Sequence, residues 1–364
     1  MLVYQLVNIT ILVCSTIFFL DRQDRNRKNF INKLFLWTVG VILIFISGFR
    51  GDFTADYNNY TYLFYYYRNF SFKEIFYYTF GQEIGYVVLN WLIAIFTDNS
   101  IFVMLVTSIL IIVLFFREIG RDSSYVWISV LMFVTIGSYY TSFNIIRQII
   151  SVAIVFSGSK YLYNRNFKAY LFFILLGSIF HQTALIMIIF YFLLNNKIKF
   201  RNLILITSIL LCSIFYLDSI LNVIQKYLYS NYTKDFYGMT SVNFKNAVLP
   251  ISILLFTIIH YSKLDFNEIK VRIWVNAIFF YSFFSILGLK IQMIQRFAEF
   301  FAPYVLLLVP FMISRIENNN LRLGYILFGI VILISYNYIT LSGSGYDPYY
   351  FIVEKIELFK FYPR

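Results

Sequence analysis

The chain has 364 residues, of which 60% are hydrophobic, 22% aromatic and only 13% charged, and its formal net charge is +12. A soluble domain is about half apolar and about a quarter charged, so an ordinary globular domain is excluded and a single membrane domain over residues 1–364 is expected. The Lys and Arg residues fall in short loops between apolar runs, which is the pattern of membrane topology and not of nucleic-acid binding.

A membrane-crossing helix needs roughly 17–25 apolar residues. Runs of this kind lie at 2–20, 31–49, 82–96, 101–116, 125–140, 143–163, 169–194, 203–217, 247–261, 271–289, 296–313 and 321–341. The reading is all-α: a polytopic integral membrane protein with about 11–12 transmembrane helices, some short or re-entrant. The first run has no basic leader and no small-residue cleavage site, so it is expected to remain as a helix. Cys14 and Cys212 sit inside apolar runs and read as buried small hydrophobes.

Basic short loops mark the cytoplasmic side. The segment 21–33 carries Arg22, Arg25, Arg27, Lys28 and Lys33. Lys160, Arg165 and Lys168 mark a second such loop, and Lys197, Lys199 and Arg201 a third. Lys263, Lys270 and Arg272 mark a fourth, and Arg315 with Arg322 a fifth. Two conflicts follow. The run 169–194 is basic at both ends, which fits a re-entrant pair with its tip near His181. Arg117 and Arg121 land on the outer side if 82–96 and 101–116 both cross, so one assignment between residues 50 and 145 is inconsistent.

The two long loops, 50–81 and 218–246, are expected outside the cytoplasm. In the first, Tyr60, Leu63, Phe64 and Tyr67 recur at helical spacing, as do Phe72, Ile75 and Phe76. Asp56 is placed to cap the first segment, and Ser71 with Glu74 fits a capping box before the second. These are read as interfacial amphipathic helices, suited to roofing a lateral opening.

Ionisable side chains within apolar segments are costly and are functional candidates. Here they are Glu83, Arg147, His181 and Arg296, with Arg50 at a helix end. Arg50 also suits interfacial anchoring, Glu83 a helix N-terminus, His181 an ordinary core histidine, and Arg296 an ion pair with Glu299 three residues on. Arg147, with Gln148 beside it and apolar residues around, calls for a carboxylate, a phosphate or a water-filled cavity. The sequence carries no nucleotide-binding, metalloprotease or serine-hydrolase motif, and no cofactor or metal site is expected. A few guanidiniums with one proton acceptor suit attack of a sugar hydroxyl on a sugar linked through diphosphate to a lipid.

Taken in order, these residues resemble a known family. Arg50 precedes Asp56 and Tyr60; Glu83-Ile-Gly85-Tyr86 follows; then come Ile146-Arg147-Gln148 and Phe180-His181-Gln182-Thr183-Ala184. The pattern is similar to the EpsG family of exopolysaccharide and capsule polymerases, related in role to Wzy O-antigen polymerases. The resemblance covers about residues 40–195, with a weaker echo at 296–304.

The resemblance implies a metal-independent membrane glycosyltransferase in the bacterial cytoplasmic membrane, with its site facing outward. It would join undecaprenyl-diphosphate-linked oligosaccharide repeat units, with a flippase and a chain-length regulator as candidate partners. On this reading Arg147 and Arg50 are assigned to the donor diphosphate with Arg296 as a third candidate, His181 or Glu83 to the base, Asp56 to orienting an arginine or a sugar, Tyr60 and Tyr86 to stacking on or hydrogen-bonding sugars, and Gln148 to substrate binding. A flippase of the same lipid-linked unit and an O-antigen ligase-type transferase are the alternatives.

Overall fold

The computed structural model describes residues 1–19, 25–79, 81–197, 245–289, 292–342, 346 and 348–352. The expected span 203–217 and most of the second long loop, 218–246, lie outside the described residues. Within them the chain is all helix apart from one isolated β-bridge, as the continuous apolar runs require in a medium that offers no hydrogen bonds to a bare backbone. Four helices are long and apolar enough to cross a membrane by themselves. Shorter apolar helices of 10–17 residues accompany them.

Helix α1 (Leu2–Phe19) and α2 (Arg25–Gly48) form the first pair. Helix α6 (Ile101–Asp122) runs antiparallel to α2: Leu105 lies against Gly48, and Leu36 against Gly120. Absent side chains at these glycines let the two backbones close together, which is how helices pair where there is no water to expel. The pairing puts Arg117 and Arg121 at the end of the bundle where α2 begins with its basic cluster. We call this the basic end.

The inconsistency in the sequence reading is thereby located. Helix α5 (Ile84–Phe96) starts with Gly85 against Ile179 and ends at the turn into α6, so both its ends lie opposite the basic end. Its 13 residues span only about 20 Å, against a hydrocarbon thickness of about 30 Å. The expected crossing at 82–96 is therefore corrected: α5 is not a transmembrane pass. It packs under α3 (Tyr57–Tyr67) and the single turn α4 (Glu74–Tyr77). The Trp91 indole N–H donates to the Phe70 carbonyl at 2.9 Å, and Arg68 pairs with Asp98 at 3.8 Å. With α5 removed from the crossings, Arg117 and Arg121 obey the charge rule. Cysteines introduced as Asp98→Cys and Arg117→Cys are expected to react with impermeant maleimide from opposite faces of sealed vesicles. Reaction from the same face would overturn this topology.

The amphipathic reading of loop 50–81 holds in its first half. Tyr57, Tyr60, Leu63, Phe64 and Tyr67 form the buried face of α3. In the second half Ile75 is buried, while Phe72 and Phe76 are exposed. The capping box forms: the Ser71 N–H donates to Glu74 Oε2 at 2.7 Å and the Glu74 N–H to Ser71 Oγ at 3.4 Å. Hydrogen bonding by Ser71 holds the Glu74 carboxyl below its ordinary range.

Helices α7 (Val126–Thr135) and α8 (Ser138–Thr141) rise from the basic end, broken at Gly137, whose φ of +111° suits only a residue without a side chain. A turn over residues 142–145 leads into α9 (Ile146–Ser157) and α10 (Ser159–Tyr163), which return. At the basic end, Tyr163 is bounded by Arg121, Lys270 and the Trp274 indole.

Helix α11 (Phe167–Ser178) climbs along α9, and α12 (Met187–Asn195) descends to the level where α11 began, with Tyr170 and Phe167 against Tyr191. Arg272 donates to the Asn195 carbonyl, and Asn276 to those of Leu194 and Asn196, satisfying the open C-terminus of α12. The two helices form a bent pair, and His181 stands at its tip. Helices α13 (Lys245–Ile259), α14 (Ile269–Leu287), α15 (Gln292–Ala298) with α16 (Val305–Ser314), and α17 (Asn319–Leu341) complete the bundle.

Candidate active site

The site grows from the docking of α5 on the tip of the bent pair. The Gly85 N–H donates to the Ile179 carbonyl at 2.8 Å. A methyl group on Gly85 would lie 2.7 Å from that same oxygen, so only glycine allows the approach. Two residues earlier, Glu83 occupies the N-cap position of α5 with an extended backbone, and its side chain makes no cap bond. The carboxylate is left free to face the tip.

There it joins two partners. Glu83 Oε1 lies 2.7 Å from His181 Nδ1, and Glu83 Oε2 pairs with the Arg147 guanidinium. The side chains of Glu83, His181 and Arg147 are 13%, 12% and 26% exposed, so the cluster is sheltered without being sealed. In a neutral imidazole that donates Nδ1–H to the carboxylate, Nε2 keeps its lone pair. Nε2 is buried and has no hydrogen-bond partner among the described residues. Ser151 Oγ donates to the His181 carbonyl at 3.5 Å and ties the tip to α9.

Asp56 lies near the guanidiniums of Arg147 and Arg296. Asp56 is the N-cap residue of α3, but its carboxylate makes no cap bond, contrary to the capping expected from sequence. Burial raises the Asp56 carboxyl above its ordinary range, while the nearby guanidiniums of Arg147 and Arg296 draw it back down. Arg296 is exposed and forms no ion pair with Glu299, so the local i,i+3 pairing that suits its spacing does not occur. Gln148 links Arg296 to α9: its Nε2 donates to the Arg296 carbonyl at 2.6 Å.

Arg50 is held differently from the expectation of a diphosphate-binding cation. It is 1% exposed, and its guanidinium donates to the Ser47 carbonyl and, at 3.1 Å, to the Phe143 carbonyl. It also lies 4.7 Å from the centre of the Phe143 ring. A cation walled in this way holds backbone instead of ligand. Tyr60, expected at the sugar, has a similar task. It is buried, and its hydroxyl donates to the Asn144 carbonyl and accepts from the Ile146 N–H at 3.0 Å. Both residues therefore fix the turn that launches α9 and aims Arg147. Tyr86 is fully buried edge-on to Tyr60, with ring centres 5.7 Å apart.

Sequence reasoning passed over the rest of this brace. Asn144 Nδ2 donates to the Tyr346 hydroxyl at 2.8 Å, and that hydroxyl donates to the Tyr140 carbonyl at 3.1 Å. Tyr346 belongs to a C-terminal strap tied back to the end of α2. The Gly51 N–H donates to the Tyr350 carbonyl at 2.8 Å, and the Ile352 N–H to the Phe49 carbonyl at 3.0 Å. The only hint in the sequence was the polar, aromatic run at 346–351 after the last apolar segment.

Among the described residues no group of three or more His, Cys, Asp or Glu is gathered that could hold a metal ion. Comparison with known proteins gives one match: the pattern of the EpsG family fits residues 33–351, a range that contains Asp56, Glu83, Arg147, His181 and Arg296. No curated protein and no solved structure matches the chain.

Proposed function

The chain belongs to the EpsG family, and from that premise we propose that it is a polysaccharide polymerase, a glycosyltransferase that joins undecaprenyl-diphosphate-linked oligosaccharide repeat units at the outer face of the bacterial cytoplasmic membrane. The observation that carries this reading is the Glu83–His181 contact with Arg147 on the other carboxylate oxygen, which joins a proton acceptor to a cation in one sheltered cleft.

His181 Nε2 takes the proton of the acceptor sugar's hydroxyl. The freed oxygen bonds to the anomeric carbon of the donor sugar. The bond from that carbon to the diphosphate breaks, and lipid diphosphate leaves with the electron pair. Negative charge develops on the departing oxygens, where the guanidiniums of Arg147 and Arg296 stabilise it. Glu83 holds the imidazole in the tautomer that leaves Nε2 free, and balances the imidazolium that forms. This division of labour assigns the base to His181 and orientation to Glu83. Asp56 keeps the two guanidiniums facing the cleft, and Arg50 and Tyr60 position the turn behind Arg147.

Charge placement supports orientation toward the outside: the cleft lies opposite the end rich in Lys and Arg. Two readings compete, a flippase and a ligase-type transferase. A flippase needs no base with a free lone pair, so the Glu83–His181 pair favours bond formation.

The test uses protein in nanodiscs, supplied with the lipid-linked repeat unit extracted from cells that lack it. A ladder of longer glycans with free lipid diphosphate is expected. Transfer of the unit between leaflets of proteoliposomes without any new bond would replace this reading by the flippase. In the same assay Arg296→Ala is expected to lower kcat/KM about 10–100-fold, the worth of a charge-assisted hydrogen bond or two. The exposed, locally unpaired side chain should leave the fold intact, and an unchanged kcat/KM would remove Arg296 from the site.

A further inference from the structure

The buried polar atoms that have no protein partner among the described residues include His181 Nε2, Gln148 Oε1 and Thr183 Oγ1. Their placement is related. His181 and Thr183 belong to the tip of the bent pair and the 3-10 turn Gln182–Ile186 that follows it. Gln148 is on α9, and its amide N–H already spans to α15. The turn packs against both α9 and α15, so the three residues lie on elements that meet.

Burying such groups unsatisfied costs free energy that natural interiors avoid. Gln148 is 3% exposed, so bulk water does not serve its oxygen. Its orientation is fixed by the 2.6 Å bond from Nε2, which leaves Oε1 as the free end of the amide. Two of the three atoms are pure acceptors, and the third is a hydroxyl that both donates and accepts. The complement of that set is a ligand with neighbouring hydroxyl groups.

We propose that Gln148 and Thr183 form the acceptor-sugar subsite, recognising a hydroxyl next to the one that attacks. Resting on the polymerase reading, the assignment gives each group one partner. The attacking hydroxyl donates to His181 Nε2. An adjacent hydroxyl on the same ring donates to Gln148 Oε1. The Thr183 hydroxyl meets the sugar from the tip side. Diphosphate recognition stays with the guanidiniums on the other side of Glu83, so sugar and diphosphate are read by separate residues.

A site built to hydrogen-bond a hydroxyl rejects a ligand lacking it, because its own polar atoms are then stranded. The free protein also bears the cost of holding them unpaired, so removing one should stabilise the fold while weakening the ligand. Thr183→Val is the test of choice, since it keeps the shape and deletes an atom with no described protein partner. Gln148→Leu is the stronger variant, though it also cuts the tie to α15.

Two probes separate the subsites on protein in nanodiscs: the lipid-free repeat-unit glycan and inorganic diphosphate. Thr183→Val is expected to weaken glycan binding about tenfold, leave diphosphate binding unchanged and raise Tm. Gln148→Leu is expected to weaken the glycan by more, again with diphosphate unchanged. Wild-type glycan affinity in Thr183→Val, or equal losses for both probes, would overturn the subsite. If the glycan binds as described but the wild-type protein forms no ladder, the polymerase reading fails and the sugar subsite stands.

Discussion

His181→Ala is expected to slow chain extension about 10²–10⁴-fold, the usual worth of a positioned general base. In the proposed mechanism the substitution removes the lone pair that accepts the hydroxyl's proton. It should cost little stability, because the imidazole's described side-chain partner is Glu83, which keeps its ion pair with Arg147. Glu83→Gln provides the companion measurement. A neutral amide can donate to Nδ1 and so turn the imidazole to the tautomer with a proton on Nε2, where it cannot accept another. A loss of similar size is expected although the histidine is still present. The two changes act on one unit, so the double variant should be little worse than either alone. Turnover in nanodiscs decides the matter. Wild-type turnover in His181→Ala, at normal protein levels, would eliminate the proton-transfer role.

Arg147→Ala is expected to damage both turnover and folding. In turnover the loss should be about 10²–10³-fold, as for removal of one strong donor from a developing anion. In folding, the change strands the Glu83 carboxylate in a sheltered position. A fully buried broken pair costs about 3–5 kcal/mol, and partial exposure of this pair places the loss below that. Arg147→Lys separates the two effects. It keeps a charge beside Glu83 and restores stability, but an ammonium lacks the planar fork that can grip the carboxylate and a phosphate oxygen together. Near-normal Tm with turnover still down about tenfold or more is the expected result. Full activity in Arg147→Lys would reduce Arg147 to a point charge, and full activity in Arg147→Ala would exclude it from the chemistry.

How much of this was legible in the chain varies by element. The bent pair could be read because charge at both ends of one apolar run is incompatible with a single crossing. Helix α5 could not, because a 13-residue apolar run looks the same whether it crosses hydrocarbon or lies beneath an aromatic roof. Hydropathy reports removal from water and carries no direction. Only its packing under α3 and the ion pair between Arg68 and Asp98 show that both ends stay on one side.

At the site, the chemistry of Glu83, Arg147 and His181 was visible as unpaired charge and a titratable ring in apolar surroundings, a placement the membrane makes costly. Their partnership was not visible: Arg147 lies 64 residues from Glu83 in the chain, and His181 98. Composition likewise could not distinguish a cation that meets a ligand from one that holds backbone. Arg50 and Arg296 look alike in sequence, yet one is sealed against carbonyls and rings while the other stands open beside Asp56.

The sequence by itself determined that this is a helical membrane protein, which end of it is basic, and which few side chains are too costly in hydrocarbon to be incidental. These follow from transfer energies that each residue carries wherever it lies. Tertiary structure alone decided which of those side chains touch, which face the cleft and which brace the turn behind it. Contacts between distant segments depend on how helices pack, and small residues such as Gly85 act there by what they leave empty.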